Sequence, residues 1–189
     1  MSAPKPLVIV SGPSGSGKTT VIGRLLSDTS LPARLSVSAT TRTPRPHERD
    51  GREYYFWTRQ RFQEEINTGA FIEWAEVHGN YYGTLHREVD PYRENGLVVI
   101  LDIDVQGARQ VRKQYADAVT VFLRTSSMAT YEDRLRKRGT ETEVSLQRRL
   151  ATAQSELTHA GDYEHEIIND QLETAVAQLG AIVRGLLER

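Results

Sequence analysis

Eight residues near the N-terminus constrain what this chain can fold into more than any other segment does. Gly12-Pro13-Ser14-Gly15-Ser16-Gly17-Lys18-Thr19 follows the pattern G-x-x-x-x-G-K-S/T. Before it stands a short apolar run, Leu7 to Val10, bounded by Pro6 and Gly12, which reads as a buried strand. After it, Thr19 to Leu26 carries apolar residues at helical spacing: Val21, Ile22, Leu25 and Leu26. A glycine-rich loop between a strand and a helix turns its backbone N–H groups inward around phosphate oxygens, and the helix N-terminus adds its positive dipole end. Lys18 then reaches the β- and γ-phosphates of a nucleoside triphosphate, most simply ATP, and the Thr19 hydroxyl ligates Mg²⁺. Thr20, next in the first turn, completes this phosphate-binding set.

The remaining pattern supports a parallel α/β sheet with helices on both faces. Leu97 to Ile103 is the strongest second strand, Ala118 to Leu123 a third, and Glu166 to Ile168 a short fourth. A closing helix, Leu172 to Leu187, repeats apolar residues at Val176, Leu179, Val183 and Leu186–Leu187, the pattern of a core-packing helix. Pro91, inside the helical stretch Arg87 to Asn95, marks a first turn or a kink. Two segments interrupt the alternation. Residues 36–85 suit short strands with one helix, about Arg59 to Thr68. Residues 127–159 are almost wholly helical and highly charged, with a capping-box pattern at Thr140-x-x-Glu143. The expected organisation is one domain, with a core of about 1–35, 86–126 and 160–189 and two insertions at one edge of its sheet.

Charge and cysteine content narrow the function classes. Lys plus Arg total 24 against 25 for Asp plus Glu, so no global field draws the chain to nucleic acid or to a membrane. Any anion site is therefore local, built from clustered Arg or backbone amides. There is no Cys, which excludes disulfides, thiolate metal sites and a Cys nucleophile. The N-terminal apolar run is too short for a signal-peptide core or a membrane span, so a cytoplasmic location is expected.

Mg²⁺ requires a carboxylate nearby, usually through water. Asp102 and Asp104 lie at the end of the Leu97–Ile103 strand, where open α/β sheets bind their ligands. Asp102 suits the metal shell or the substrate side; Asp104 suits either a base contact or the cap of the helix from about Gln106. In Ser36-Val-Ser38-Ala-Thr-Thr-Arg42-Thr-Pro-Arg45-Pro, two guanidiniums stand three residues apart on a backbone stiffened by prolines. Such a pair fits a phosphate monoester, since each Arg offers bidentate donors and stays charged. Arg49 and Arg52, interleaved with Glu48, Asp50 and Glu53, read as a solvated hairpin.

Taken in order, GPSGSGKT, SVSATTRTPRP, GREYYF, FIEWAEVHGNYYGT, ILDIDVQG, RGTETE and IIND resemble the guanylate kinase family over nearly all 189 residues. The resemblance implies a P-loop NTPase fold with an inserted nucleoside-monophosphate-binding region and a helical lid. It implies that Arg42, Arg45, Tyr54 and Tyr82 grip the phosphate of GMP, and that Ser38, Glu73 and Thr84 read its base. It also implies that Arg138 and Arg149 close over the nucleotide, with Arg134 able to join them, and that Asn169 and Asp170 lie beside the adenine. A plain Asn-Asp turn before the last helix is the alternative for that pair. Lys18, Arg42, Arg138 and Arg149 are then the catalytic set.

Guanine chemistry supports these assignments independently. Its N1–H and exocyclic NH₂ are adjacent donors that a carboxylate accepts together, and its O6 accepts from a hydroxyl of Ser38 or Thr84. Adenine reverses this pattern and would leave Glu73 facing a lone pair. Gly139 beside Arg138 offers a hinge for closure that excludes water, while Arg136 and Lys137 read as a solvated face. The expectation is an ATP:GMP phosphotransferase using Mg²⁺, with dGMP as a second acceptor. The rivals are a non-catalytic phosphopeptide-binding scaffold on the same fold and a kinase with another acceptor, such as a phosphorylated ribose. An intact Lys18-Thr19 and the base-reading set weigh against each in turn, and the guanine-reading motif of GTPase switches is missing.

Overall fold

The computed structural model describes residues 4–77, 79–137 and 143–188. Its elements, in chain order, are β1 (Leu7–Ser11), α1 (Lys18–Leu25), β2 (Ala33–Leu35), β3 (Ala39–Thr40), β4 (Tyr55–Phe56), α2 (Arg59–Asn67), β5 (Phe71–Val77) and β6 (Asn80–Leu85). They continue with α3 (Asp90–Glu94), β7 (Val98–Asp102), α4 (Val105–Gln114), β8 (Val119–Arg124), α5 (Met128–Lys137), α6 (Glu143–Leu157), β9 (His165–Ile168) and α7 (Leu172–Leu187). Five strands form a parallel sheet in the order β2-β7-β1-β8-β9.

The period of two along β1 explains its unbroken apolarity. Val8 and Val10 face one layer, with Val21 and Ile22 of α1 and Leu179 and Val183 of α7. Leu7 and Ile9 face the other, with Ala108 and Val111 of α4. A strand covered on both faces has no solvent side on which to place polar residues. Register then sets the site: Val10 lies beside Asp102, so the loop after β1 and the carboxylate ending β7 emerge together at the carboxyl ends of adjacent strands.

The four expected strands and the closing helix occur with boundaries shifted by at most two residues. Pro91 occupies the first turn of α3, where its missing N–H costs nothing. Strand β2 had no clear sequence signal. Its three residues, Ala33-Arg34-Leu35, are half-buried and pair with β7 at the sheet edge. Arg34 is held there by Glu88 at 2.8 Å and lies 3.5 Å over the Tyr92 ring.

Residues 36–85 build a second sheet, in the order β4-β3-β6-β5, with α2 against it. Ala39, Trp57, Phe62, Phe71 and Leu85 form its own small core, in which the Phe62 and Phe71 rings stack at 4.5 Å. The Thr58 hydroxyl caps α2 by accepting from the Arg61 N–H. The solvated hairpin expected at Arg49–Glu53 does not form: a turn at Gly51 and a lone bridge between Asp50 and Tyr54 take its place. Arg136 joins the two helices of the charged segment by pairing with Glu132 on α5 and Glu143 on α6, on the solvated face expected of it. Arg138, Gly139 and Thr140 lie outside the described residues. Among the described residues no helix is long and apolar enough to cross a membrane.

Candidate functional site

The glycine-rich loop is braced from behind as well as shaped by its own sequence. Gly17 is the N-cap of α1 in a left-handed conformation, φ 94°, and a Cβ on it would lie 2.4 Å from the amide nitrogen of Asn169. That same Nδ2 donates to the Ser16 carbonyl at 2.7 Å. Arg134 donates to the Ser16 carbonyl at 3.1 Å and to the Asn169 carbonyl at 2.7 Å. Arg149 reaches the Ser14 hydroxyl at 3.3 Å from α6. The Gly15 and Ser16 carbonyls of the loop are thus held by side chains from elsewhere in the fold. Lys18 Nζ donates to the Gly12 carbonyl at 2.7 Å and lies 3.9 Å from Asp102.

This geometry sharpens three expectations. Asn169 is a buried brace of the loop, 4% exposed, and the Asp170 carboxylate accepts from the Ser126 N–H. The pair forms a turn, and each side chain also makes a hydrogen bond within the protein. Arg134 likewise spends its guanidinium on loop carbonyls. Asp104, open between two roles in the sequence, is the N-cap of α4, its carboxylate accepting from the Gly107 N–H at 2.8 Å.

Thr19 donates its hydroxyl proton to Asp102 at 3.0 Å. A hydroxyl and a carboxylate side by side at the phosphate loop fit Mg²⁺, which keeps several waters and takes substrate oxygens instead of a full protein cage. Among the described residues no group of three or more Asp, Glu or His side chains is placed to hold a metal ion by itself.

Facing the loop, the second sheet brings its own cations and carboxylate together. Arg42 makes a bidentate pair with Glu48, both bonds 2.9 Å, and Glu48 also accepts from the Arg45 backbone N–H at 2.7 Å. Nothing in the local residue pattern separates Glu48 from its solvated neighbours, yet its side chain is only 15% exposed. Burial alone would raise the Glu48 carboxyl, but the bonds from Arg42 and Arg45 outweigh it and hold the group below its ordinary range. Arg45 itself is largely exposed and 4.0 Å from Glu48. Tyr54 and Tyr82 meet edge to face at 6.1 Å, with the Arg42 guanidinium 5.5 Å from the Tyr54 ring. Burial first, then the Asp102 charge, pushes the Tyr54 hydroxyl up to about 12, so it stays a donor. Arg42, Tyr54 and Tyr82 therefore converge, whereas Arg49 and Arg52 stay at the surface.

Glu73 sits deeper, 5% exposed. A β-bulge between Phe71 and Glu73 shifts the register of β5 so that Glu73 opposes Thr84. The Thr84 hydroxyl donates to Glu73 Oε1 at 2.7 Å. A hydroxyl has one proton, so Thr84 as placed here orients the carboxylate, while the hydroxyl of Ser38 has no such engagement among the described residues. Burial pushes the Glu73 carboxyl up to about 7, against the Thr84 bond and with the help of the Asp104 charge. Glu156, on α6, was hidden in the sequence within a charged helix. Burial raises it too, to about 7, with Lys18 opposing and Asp104 reinforcing the shift, which places it in the electrostatic surroundings of the loop.

A parallel sheet with the phosphate loop at its carboxyl edge, a carboxylate beside it, and a second sheet that gathers Arg42, Tyr54, Tyr82 and the buried Glu73 define a P-loop phosphotransferase that takes two nucleotide-like substrates. The guanylate kinase family model matches residues 4–186. The chain is 46% identical over 181 residues to a guanylate kinase of Rubrobacter xylanophilus, covering 96% of this chain and 94% of that one. It is 48% identical over 177 residues to one from Symbiobacterium thermophilum, covering 94% and 83%. The crystal structure of guanylate kinase from Anaplasma phagocytophilum superposes with a TM-score of 0.80 at 29% identity, over 100% of this chain and 89% of that one. The chain belongs to the guanylate kinase family.

Proposed function

We propose that this chain transfers the γ-phosphoryl of ATP to GMP, and to dGMP as a second acceptor, giving ADP and GDP. The observation that carries the reading is Glu73: a buried carboxylate, oriented by Thr84, in the second site of a protein whose first site is a phosphate loop. Guanine presents two adjacent donors to such a group, and in this reading the Ser38 hydroxyl, with Thr84 turned to the carboxylate, is the donor to its O6. Arg42, with Tyr54 and Tyr82, holds the acceptor phosphate, and Arg45 adds charge at the rim. On the donor side the loop N–H groups and Lys18 hold the triphosphate. Thr19 and Asp102 would hold Mg²⁺, which supplies neutralisation of the charge shared between β- and γ-oxygens.

No covalent intermediate is required, because an oxygen of the GMP phosphate attacks the γ-phosphorus in line. The protein's work is positioning and charge compensation, with Arg149 entering from the helical segment and Arg138, outside the described residues, expected beside it. The units of this reading are the core, a GMP-binding region of about 36–85 and a lid of about 127–159. A cytoplasmic setting, where both substrates are available, goes with it. The test is ADP formation from ATP and Mg²⁺ with GMP, AMP, UMP and CMP offered separately. Strong preference for GMP is expected. Equal turnover of AMP and GMP would sink the base reading, and no turnover with any acceptor would favour a binding scaffold.

A further inference from the structure

Strand β5 is an edge strand, so one row of its N–H and C=O groups has no strand partner. Helix α4 supplies partners instead. The Gln110 carboxamide donates to the Trp74 carbonyl at 2.9 Å and accepts from the Trp74 N–H at 3.3 Å, as a neighbouring strand would. Gln114 donates to the Ile72 carbonyl at 2.7 Å. Both residues flanking Glu73 are therefore fastened to α4. The same helix also packs against the carboxylate itself, at Gly107. These three positions are spaced i, i+3 and i+7, which puts them on one helical face.

A Cβ at position 107 would lie 2.6 Å from Glu73 Oε2 and 3.1 Å from its Cδ. The carboxylate has little room to give way, since Thr84 holds its other oxygen and its neighbours are pinned. Gly107 does not have the positive φ that favours glycine, and glycine weakens a helix relative to alanine. Its N–H is already spent on Asp104. Conformation therefore gives no reason for a glycine here, but the space that it leaves does.

We propose that the Gly107–Gln110–Gln114 face of α4 is the wall that fixes where Glu73 stands, and so sets the selection of guanine. Gly107 and Gln110 are positioning residues, acting through Glu73. The inference rests on the reading of Glu73 as the base-recognising group. Two parallel hydrogen bonds from guanine tolerate little displacement of their acceptor, so a carboxylate pushed off this wall loses GMP without disturbing the phosphate loop.

Steady-state kinetics with GMP and ATP test it, beside thermal melts of each variant. Gly107→Ala is expected to raise the GMP KM about tenfold or more while the ATP KM stays near wild type, with the melts showing that the variant is folded under the assay conditions. Glu73→Asp withdraws the carboxylate by one methylene, and in the Gly107→Ala background that withdrawal makes room for the new methyl. The double variant should therefore show a GMP KM well below the product of the two single effects. Gln110→Leu removes both bonds to Trp74 at similar volume and should raise the GMP KM about threefold or more with the ATP KM unchanged. A wild-type GMP KM in both Gly107→Ala and Gln110→Leu, or multiplicative effects in the double variant, would overturn the wall. If Glu73→Gln by itself leaves the GMP KM unchanged, it is the base reading that has failed.

Discussion

Replacing Glu73 by glutamine removes a titrating group from a position where its charge is costly, and the size of that cost follows from its surroundings. The carboxyl titrates near 4.5 when unperturbed and is pushed up to about 7 by burial in the folded protein. Between those values the folded chain binds more protons than the unfolded one, so its stability falls as pH rises through the window and levels off above it. The whole displacement corresponds to about 3 kcal/mol, of which roughly 2 kcal/mol or slightly more falls between pH 5 and pH 8. Glutamine cannot titrate, so the Glu73→Gln protein should lack this contribution while sharing all others, including that of Glu156. Any packing difference between carboxyl and carboxamide is independent of pH and cancels when the two conditions are subtracted.

The assay is urea unfolding of both proteins across this range without nucleotides, with stability taken by linear extrapolation. Wild type should lose roughly 2 kcal/mol more than Glu73→Gln between pH 5 and pH 8, and the variant should be the more stable protein at the alkaline end. Parallel stability curves, within about 0.5 kcal/mol, would show that Glu73 is not desolvated in the free protein and would remove the physical basis of the argument.

The same proton governs the acceptor site. Guanine's two donors require the ionised form of Glu73, so the wild-type GMP KM should rise below pH 7, approaching tenfold per pH unit, relative to Glu73→Gln measured alongside; KM profiles of equal shape would refute this. Lys18→Ala should lower kcat about a thousandfold or more while GMP binding, measured by calorimetry, stays within about threefold of wild type. Asn169→Ala takes one of two donors from the Ser16 carbonyl, so a loss of about 1 kcal/mol and a raised ATP KM are expected, with the GMP KM unmoved. A change confined to the GMP KM would contradict the placement of Asn169 behind the phosphate loop.

What the sequence made legible follows from how each feature is encoded. The phosphate loop is contiguous and its residue types are dictated by backbone geometry, so Gly12 to Thr19 announce themselves. Strands β1, β7 and β8 are covered on both faces and read as apolar runs. Strand β2 was invisible because an edge strand of three half-buried residues needs no such run, only pairing with β7. Glu48 and Glu156 were lost among neighbouring charges for a related reason. Burial of a carboxylate is a property of the tertiary fold, and local composition carries no trace of it. From sequence Asn169 is open between a place beside the adenine, implied by the resemblance, and a plain turn; the brace it provides spans 153 positions in the chain, to Ser16, and no local pattern shows such a contact. The residues proposed for the acceptor, Arg42, Tyr54, Glu73, Tyr82 and Thr84, are likewise scattered, and the resemblance to a family assembled them before any geometry did.

The acidic groups of the site show why it is built at a cost. Glu73 and Glu156 each experience the Asp104 charge, and both are raised to about 7 by burial. A chain selected for stability alone would place neutral groups at these positions, and glutamine at position 73 would fit the same space. The carboxylate is nevertheless the better acceptor for two donors at once, since both of its oxygens accept, whereas a carboxamide presents one acceptor and one donor. With Glu73 as the proposed base-reading group, the donors of guanine would take the place of lost water only when GMP is present, and the desolvation that destabilises the free protein would become discrimination in the complex. Adenine would leave that desolvation uncompensated. The penalty on the free protein and the rejection of the wrong base are on this argument one quantity, measured in two states of the same carboxyl.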